Sequence, residues 1–113
     1  MKIRPLFLAG SFLVFDLSAC ASTNSLMGDH LSAANQYRDS ARQIEKSAHK
    51  QAVSLNHLIA AKKFADAGQI RIRAASEYAE IGNPVQEKGE YERASADFVN
   101  ASRESILAEG ATP

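Results

Sequence analysis

The chain has 113 residues with 13 basic and 13 acidic side chains, which bounds it to one small domain without the net charge that attracts nucleic acid or an anionic surface. Hydrophobic residues make up 45%, but many of the bulky ones fall in residues 6–17, and alanine supplies much of the remainder. No Lys/Arg cluster interleaved with aromatics occurs, which argues against a nucleic-acid partner, and an Ala-rich domain of this size is expected to be only modestly stable alone.

Lys2 and Arg4 form a short positive segment, and Leu6 to Phe15 follows as a ten-residue, mostly apolar run that Asp16 ends. As a helix this run rises about 15 Å, roughly half of a bilayer core, whose crossing takes about 20 residues. A cleaved export signal over residues 1–19 is therefore expected rather than a permanent span. The segment closes with Leu17-Ser18-Ala19-Cys20. That order, an aliphatic residue, two small residues and a cysteine, resembles the bacterial lipobox. The resemblance implies that a diacylglycerol is attached to the Cys20 thiol, that a lipoprotein signal peptidase cuts before it, and that the new amine is acylated. It also accounts for a lone cysteine, which has no internal disulfide partner in an exported chain. Two or three acyl chains anchor a protein firmly where a single chain binds only marginally. In Gram-negative lipoproteins an Asp directly after the cysteine retains the protein at the inner membrane. Ala21 and Ser22 follow here, so the resemblance implies the outer membrane, facing the periplasm. Losing Lys2, Arg4 and Asp16 leaves 11 basic and 12 acidic groups, so the acyl chains and not charge must hold the mature chain to lipid.

Small and polar residues dominate from Ala21 to Asp29, so residues 20–30 read as the lipidated cysteine and a flexible tether. Asp29 or Ser32 is placed to cap a first helix. A helical domain is expected over residues 31–108. No Pro or Gly occurs from Leu31 to Ala67, and apolar or small residues recur at steps of three and four. Gly68-Gln69 predicts a helix end, Gly82-Asn83-Pro84 a stronger stop, and Glu90 to Ala108 a last helical run. Residues 109–113 are expected to fray. The fold class is all-α, an antiparallel set of helical hairpins or a small bundle.

Ala60, Phe64 and Ala67 recur in the same order and spacing as Ala94, Phe98 and Ala101. Tyr78, Ile81-Gly82, Gly89-Glu90-Tyr91, Ala94, Phe98 and Ala101 then fall at spacings that resemble the tetratricopeptide repeat. The period of that repeat, about 34 residues, equals the offset between the two Ala-Phe-Ala sets. The resemblance implies paired helices and an interaction groove near Tyr78, Tyr91 and Phe98. A plain antiparallel bundle, with either one long first helix through Ala67 or a break near Ser54, accounts for the same pattern without a groove.

Catalytic and metal chemistry find little support. His49 and His57 are eight residues apart, about two helical turns, which is too far for one ion, and no Cys or His-Glu-x-x-His spacing suits zinc. The three histidines read as solvated. So do Glu77, Glu80, Glu87, Glu90 and Glu92, which lie at helical spacing and do not suggest an acid–base pair. Lys62-Lys63 with Arg71 and Arg73 form a basic strip expected to pair within the fold. No cofactor beyond the covalent lipid on Cys20 is expected, and no catalytic residue. The expected function is a lipid-anchored module for contact with an envelope protein; the alternative is a self-associating structural lipoprotein.

Overall fold

A computed structural model describes residues 20–110, and over them the chain is all-α without a strand. Among the described residues α1 covers 20–26, followed by α2 (His30–Val53), α3 (His57–Glu80) and α4 (Pro84–Gly110). Each long helix is a run in which helix formers dominate, and each starts directly after a residue of capping type. Asp29 accepts from the Ser32 amide at 3.2 Å, and Asn83 accepts from the Gln86 amide at the same distance. Asn56 occupies the equivalent place before α3, but its side chain donates to Gln51 at 2.9 Å instead. Pro84 is the first residue of α4, where its missing N–H and fixed φ cost nothing.

One joint is used three times, at even spacing along the chain. Gly28, Leu55 and Gly82 carry φ of 83°, 63° and 68°, the left-handed conformation that reverses the chain. At each joint the amide of the left-handed residue bonds three residues back, to Ser25, Ala52 or Ala79. The following cap residue bonds five back, to Asn24, Gln51 or Tyr78. These two bonds make a Schellman motif, whose last residue is already the cap of the next helix. A three-residue joint of this kind sends successive helices antiparallel.

The helices lie side by side as a flattened, open-sided bundle of 50 × 36 × 15 Å. Its radius of gyration is 15.4 Å, against about 12 to 13 Å for a rounded domain of this length. α3 is central and packs on α2 along one side and α4 along the other, while α2 and α4 barely touch. Alanine dominates the seams. One cluster joins Ala33, Ala41, Ala67 and Ala74 around Tyr37, Ile44 and Ile70, and a second joins Ala48 and Ala60 to Phe64. Such small side chains let helices approach closely but bury little area each.

Several expectations change here. α3 runs straight through Gly68, because that glycine makes room for α4: a Cβ there would lie 2.9 Å from the Phe98 ring. The last helix begins at Pro84, not Glu90, and continues to Gly110. Residues 20–26 form a docked helix instead of a loose tether, since Ala21 is fully buried in the first cluster. A regular tetratricopeptide unit is not formed, because two helices of 24 residues do not fit a period of about 34. The plain antiparallel arrangement with a break at Ser54 is the one observed. Residues 1–19, where a signal segment is expected, and the tail from 111 lie outside the described residues.

Leu55 is the one described residue other than glycine with positive φ, and it is 75% exposed. Leu55→Gly is expected to raise stability by roughly 1 kcal/mol, since the left-handed penalty disappears and little packing is lost. Gly82→Leu should cost a similar amount. Urea unfolding followed by circular dichroism measures both; a loss of stability in Leu55→Gly would contradict the assignment of strain to this joint.

Candidate functional site

Cys20 is exposed and its thiol is free. The residue after it is fully buried, and Ser22 Oγ lies 3.0 Å from the Tyr37 hydroxyl. Asn24 donates to Gln36 at 2.7 Å, which clips α1 to α2 a second time. The Cys20 thiol is thus held one residue from the core. Leu17, Ser18 and Ala19 lie outside the described residues.

Tyr78, Tyr91 and Phe98 do not converge on one groove. Tyr78 is 2% exposed between α2 and α3, where its hydroxyl donates to Asn35 at 3.2 Å and accepts from Arg38 at 3.4 Å. Tyr91 is half-exposed on α4 in a shallow hollow beside Pro84 and Lys88. Phe98 turns its ring over Gly68 and borders a separate groove between α3 and α4, with Leu58, Ala65 and Ile106. Helical spacing placed these aromatics correctly along the helices, but the longer helices distribute them to three different surroundings.

The chemically dense part of the molecule is a buried ionic cluster that joins three helices. Arg71 of α3 is 3% exposed and donates through Nε and Nη2 to both oxygens of Glu45 on α2, at 3.0 and 2.7 Å. Its Nη1 donates to Glu90 of α4 at 2.9 Å. Glu90 is fully buried, and its second oxygen accepts from Arg93 at 3.3 Å. Asp97, also on α4, is 5% exposed, and its Oδ2 meets no hydrogen-bond partner. Burial, then a hydrogen bond with Glu45 and the Glu45 charge, push the Asp97 carboxyl up to about 8. Burial also works against charge on Glu45, but hydrogen bonds from Arg71 and Asp97 outweigh it and hold that carboxyl below its usual range. Arg71 is likewise desolvated, yet its two carboxylate partners keep it firmly protonated. With Asp97 holding its proton, two guanidiniums face two carboxylates, and the cluster is neutral.

Two His–Glu hydrogen bonds occupy equivalent places in successive hairpins. His30 Nδ1 at the start of α2 meets Glu77 of α3 at 2.5 Å, and His57 Nδ1 at the start of α3 meets Glu104 of α4 at 2.8 Å. Glu77 and Glu104 are buried. These histidines and Glu77 and Glu90 are therefore not solvated as their spacing suggested. His49 stands edge-on to Phe64, with ring centroids 5.0 Å apart. The shared separation of 47 residues within each pair is the sequence signal that would have revealed them. Of the basic strip, Arg71 pairs within the fold as expected. No group of His, Cys, Asp and Glu among the described residues is arranged to hold a metal ion. No described helix is long and apolar enough to cross a membrane.

No family model, curated protein or solved structure matches the chain.

Removing the guanidinium leaves the buried Glu90 and the half-buried Glu45 with only the exposed Arg93, 3.3 Å from Glu90, as a counter-charge. Arg71→Met is expected to cost about 3–5 kcal/mol, read from the urea midpoint. Asp97 adds a pH dependence. A carboxyl whose folded pKa lies above its unfolded value of about 4 binds more protons when folded. Its contribution is complete below about pH 4 and is lost as pH rises through about 8. Stability should therefore decline between about pH 5 and 8 in the parent chain, and Asp97→Asn should flatten that decline. Equal slopes in the two proteins would contradict the shared proton.

Proposed function

We propose that the chain is a bacterial lipoprotein precursor, cut before Cys20 and anchored by diacylglycerol and an N-acyl chain on that residue. The observation that carries this reading is Leu17-Ser18-Ala19-Cys20 following a short positive segment and an apolar run too short to span a bilayer. Ala21 and Ser22 after the cysteine favour the outer membrane with the helices facing the periplasm. The exposure of Cys20 supports it, since a thiol beside a buried Ala21 is free to carry lipid without disturbing the core.

Beyond the anchor, the reading is a helical interaction or assembly module. A flattened bundle has a large surface for its mass, and several large apolar residues stand exposed on it, among them Leu58, Val85 and Ile106. Scattered exposed apolar residues are ordinary, but many on one thin domain mark surface that a partner can cover. The docked α1 holds such a module close to the lipid surface, without the reach a free tether gives.

Mass spectrometry of the chain purified from the membranes of a Gram-negative host tests the anchor. The expected species begins at Cys20 and carries diacylglycerol and an N-acyl group. Cys20→Ser is expected to leave full-length, unacylated precursor. An unmodified Cys20 in the processed protein, or cleavage at another residue, overturns the reading.

A further inference from the structure

The outer edge of α4 carries a pattern that the chain itself does not use. Val85, Glu92, Val99 and Ile106 recur every seven residues, and the three apolar ones are 78%, 56% and 68% exposed. Gly89, Ala96, Arg103 and Gly110 each follow four residues later. Alternating steps of four and three keep one stripe in line along the whole helix. It runs on the side opposite Glu90, Ala94, Asp97 and Glu104, the buried residues of α4. Gly89 lies in the same stripe. Glycine inside a helix is destabilising relative to alanine, and a Cβ at Gly89 would meet nothing within 4 Å. Gly68 contrasts with it, because the Phe98 ring fills the space there. Packing within the chain explains Gly68 and gives no reason for Gly89; close approach of another helix does.

We propose that this stripe is a self-association face on which α4 of a second copy lies antiparallel, forming a two-fold dimer. One register matches the stripe to itself in both size and charge. Gly89 faces Ile106 of the second copy, Ala96 faces Val99, Val85 faces Gly110, and Glu92 faces Arg103. Each bulky apolar residue meets a small one, so the helices can approach closely, and each acid meets a base. Two-fold symmetry makes every one of these contacts occur twice. Glu92 is free to take this partner, since within its own chain it has only an exposed contact with Lys88 at 3.9 Å. Complementarity of the stripe to its own reverse is what singles out a second copy over an unrelated helix. The inference rests on α4 alone and does not depend on lipid at Cys20.

Sedimentation velocity of the full chain in mild detergent tests it, with Cys20→Ser throughout so that neither lipid nor a disulfide joins copies. The parent is expected to be a dimer. Glu92→Arg or Arg103→Glu alone should weaken the dimer on the order of tenfold, because two attractive pairs become two repulsive ones. The double reversal should restore it. Gly89→Leu should give a monomer of unchanged helicity by circular dichroism, since the space around Gly89 is open in the single chain. A monomeric parent, a double reversal that fails to recover association, or a Gly89→Leu protein that remains dimeric overturns the proposal.

Discussion

The guanidinium of Arg71 is the point on which the arrangement of the three long helices depends. α2 and α4 scarcely touch, yet Glu45 from one and Glu90 from the other end on the same side chain of α3. Alanine-rich seams supply close approach but little buried area, so they fix the relative angle of neighbours weakly. A planar fork that bonds one carboxylate through two nitrogens and a second through a third is directional in a way that alanine contacts are not. The cluster is buried, and burial of ions is costly unless every charge is matched. The proton on Asp97 provides the match.

Around this pin the structure is built by repetition. The same left-handed joint occurs at Gly28, Leu55 and Gly82, and the same His–Glu pair closes the open end of each hairpin, His30 with Glu77 and His57 with Glu104. The series stops where its chemistry stops. Pro84 stands where a third histidine would fall, and Lys50 stands where a preceding glutamate would. Both outer helices thus lack the pairing group on their free sides, which leaves α4 with an uncovered edge among the described residues.

Much of this was legible in the residues. The helix-forming runs, Asp29 as a cap and the stop at Gly82-Asn83-Pro84 follow from local chemistry, whereas the break near Ser54 is only one of two readings because its left-handed residue is a leucine. Local chemistry failed at Gly68, where a residue suited to ending a helix instead accommodates a neighbouring ring that no local rule foresees. The match of Ala60, Phe64 and Ala67 to Ala94, Phe98 and Ala101 misled because alanine recurs so often in this chain that several offsets align. The interval that the structure uses is the step from Gly28 to Leu55 to Gly82. It is written in the cap residues and the His and Glu positions, which are fewer and more specific. Glu90 and Glu77 read as solvated because charge at helical spacing usually is. Their burial depends on partners 19 and 47 residues away.

A thin domain with alanine-rich seams has little deep core, and the cross-helix ionic contacts supply stiffness where alanine cannot. A double-mutant cycle between Glu45→Gln and Glu90→Gln measures this directly, because the two residues sit on helices that share almost no contact except through Arg71. A coupling of about 1 kcal/mol or more between their unfolding free energies is the expected result for two groups on one guanidinium. Additivity within about 0.3 kcal/mol would mean that Arg71 does not join the outer helices.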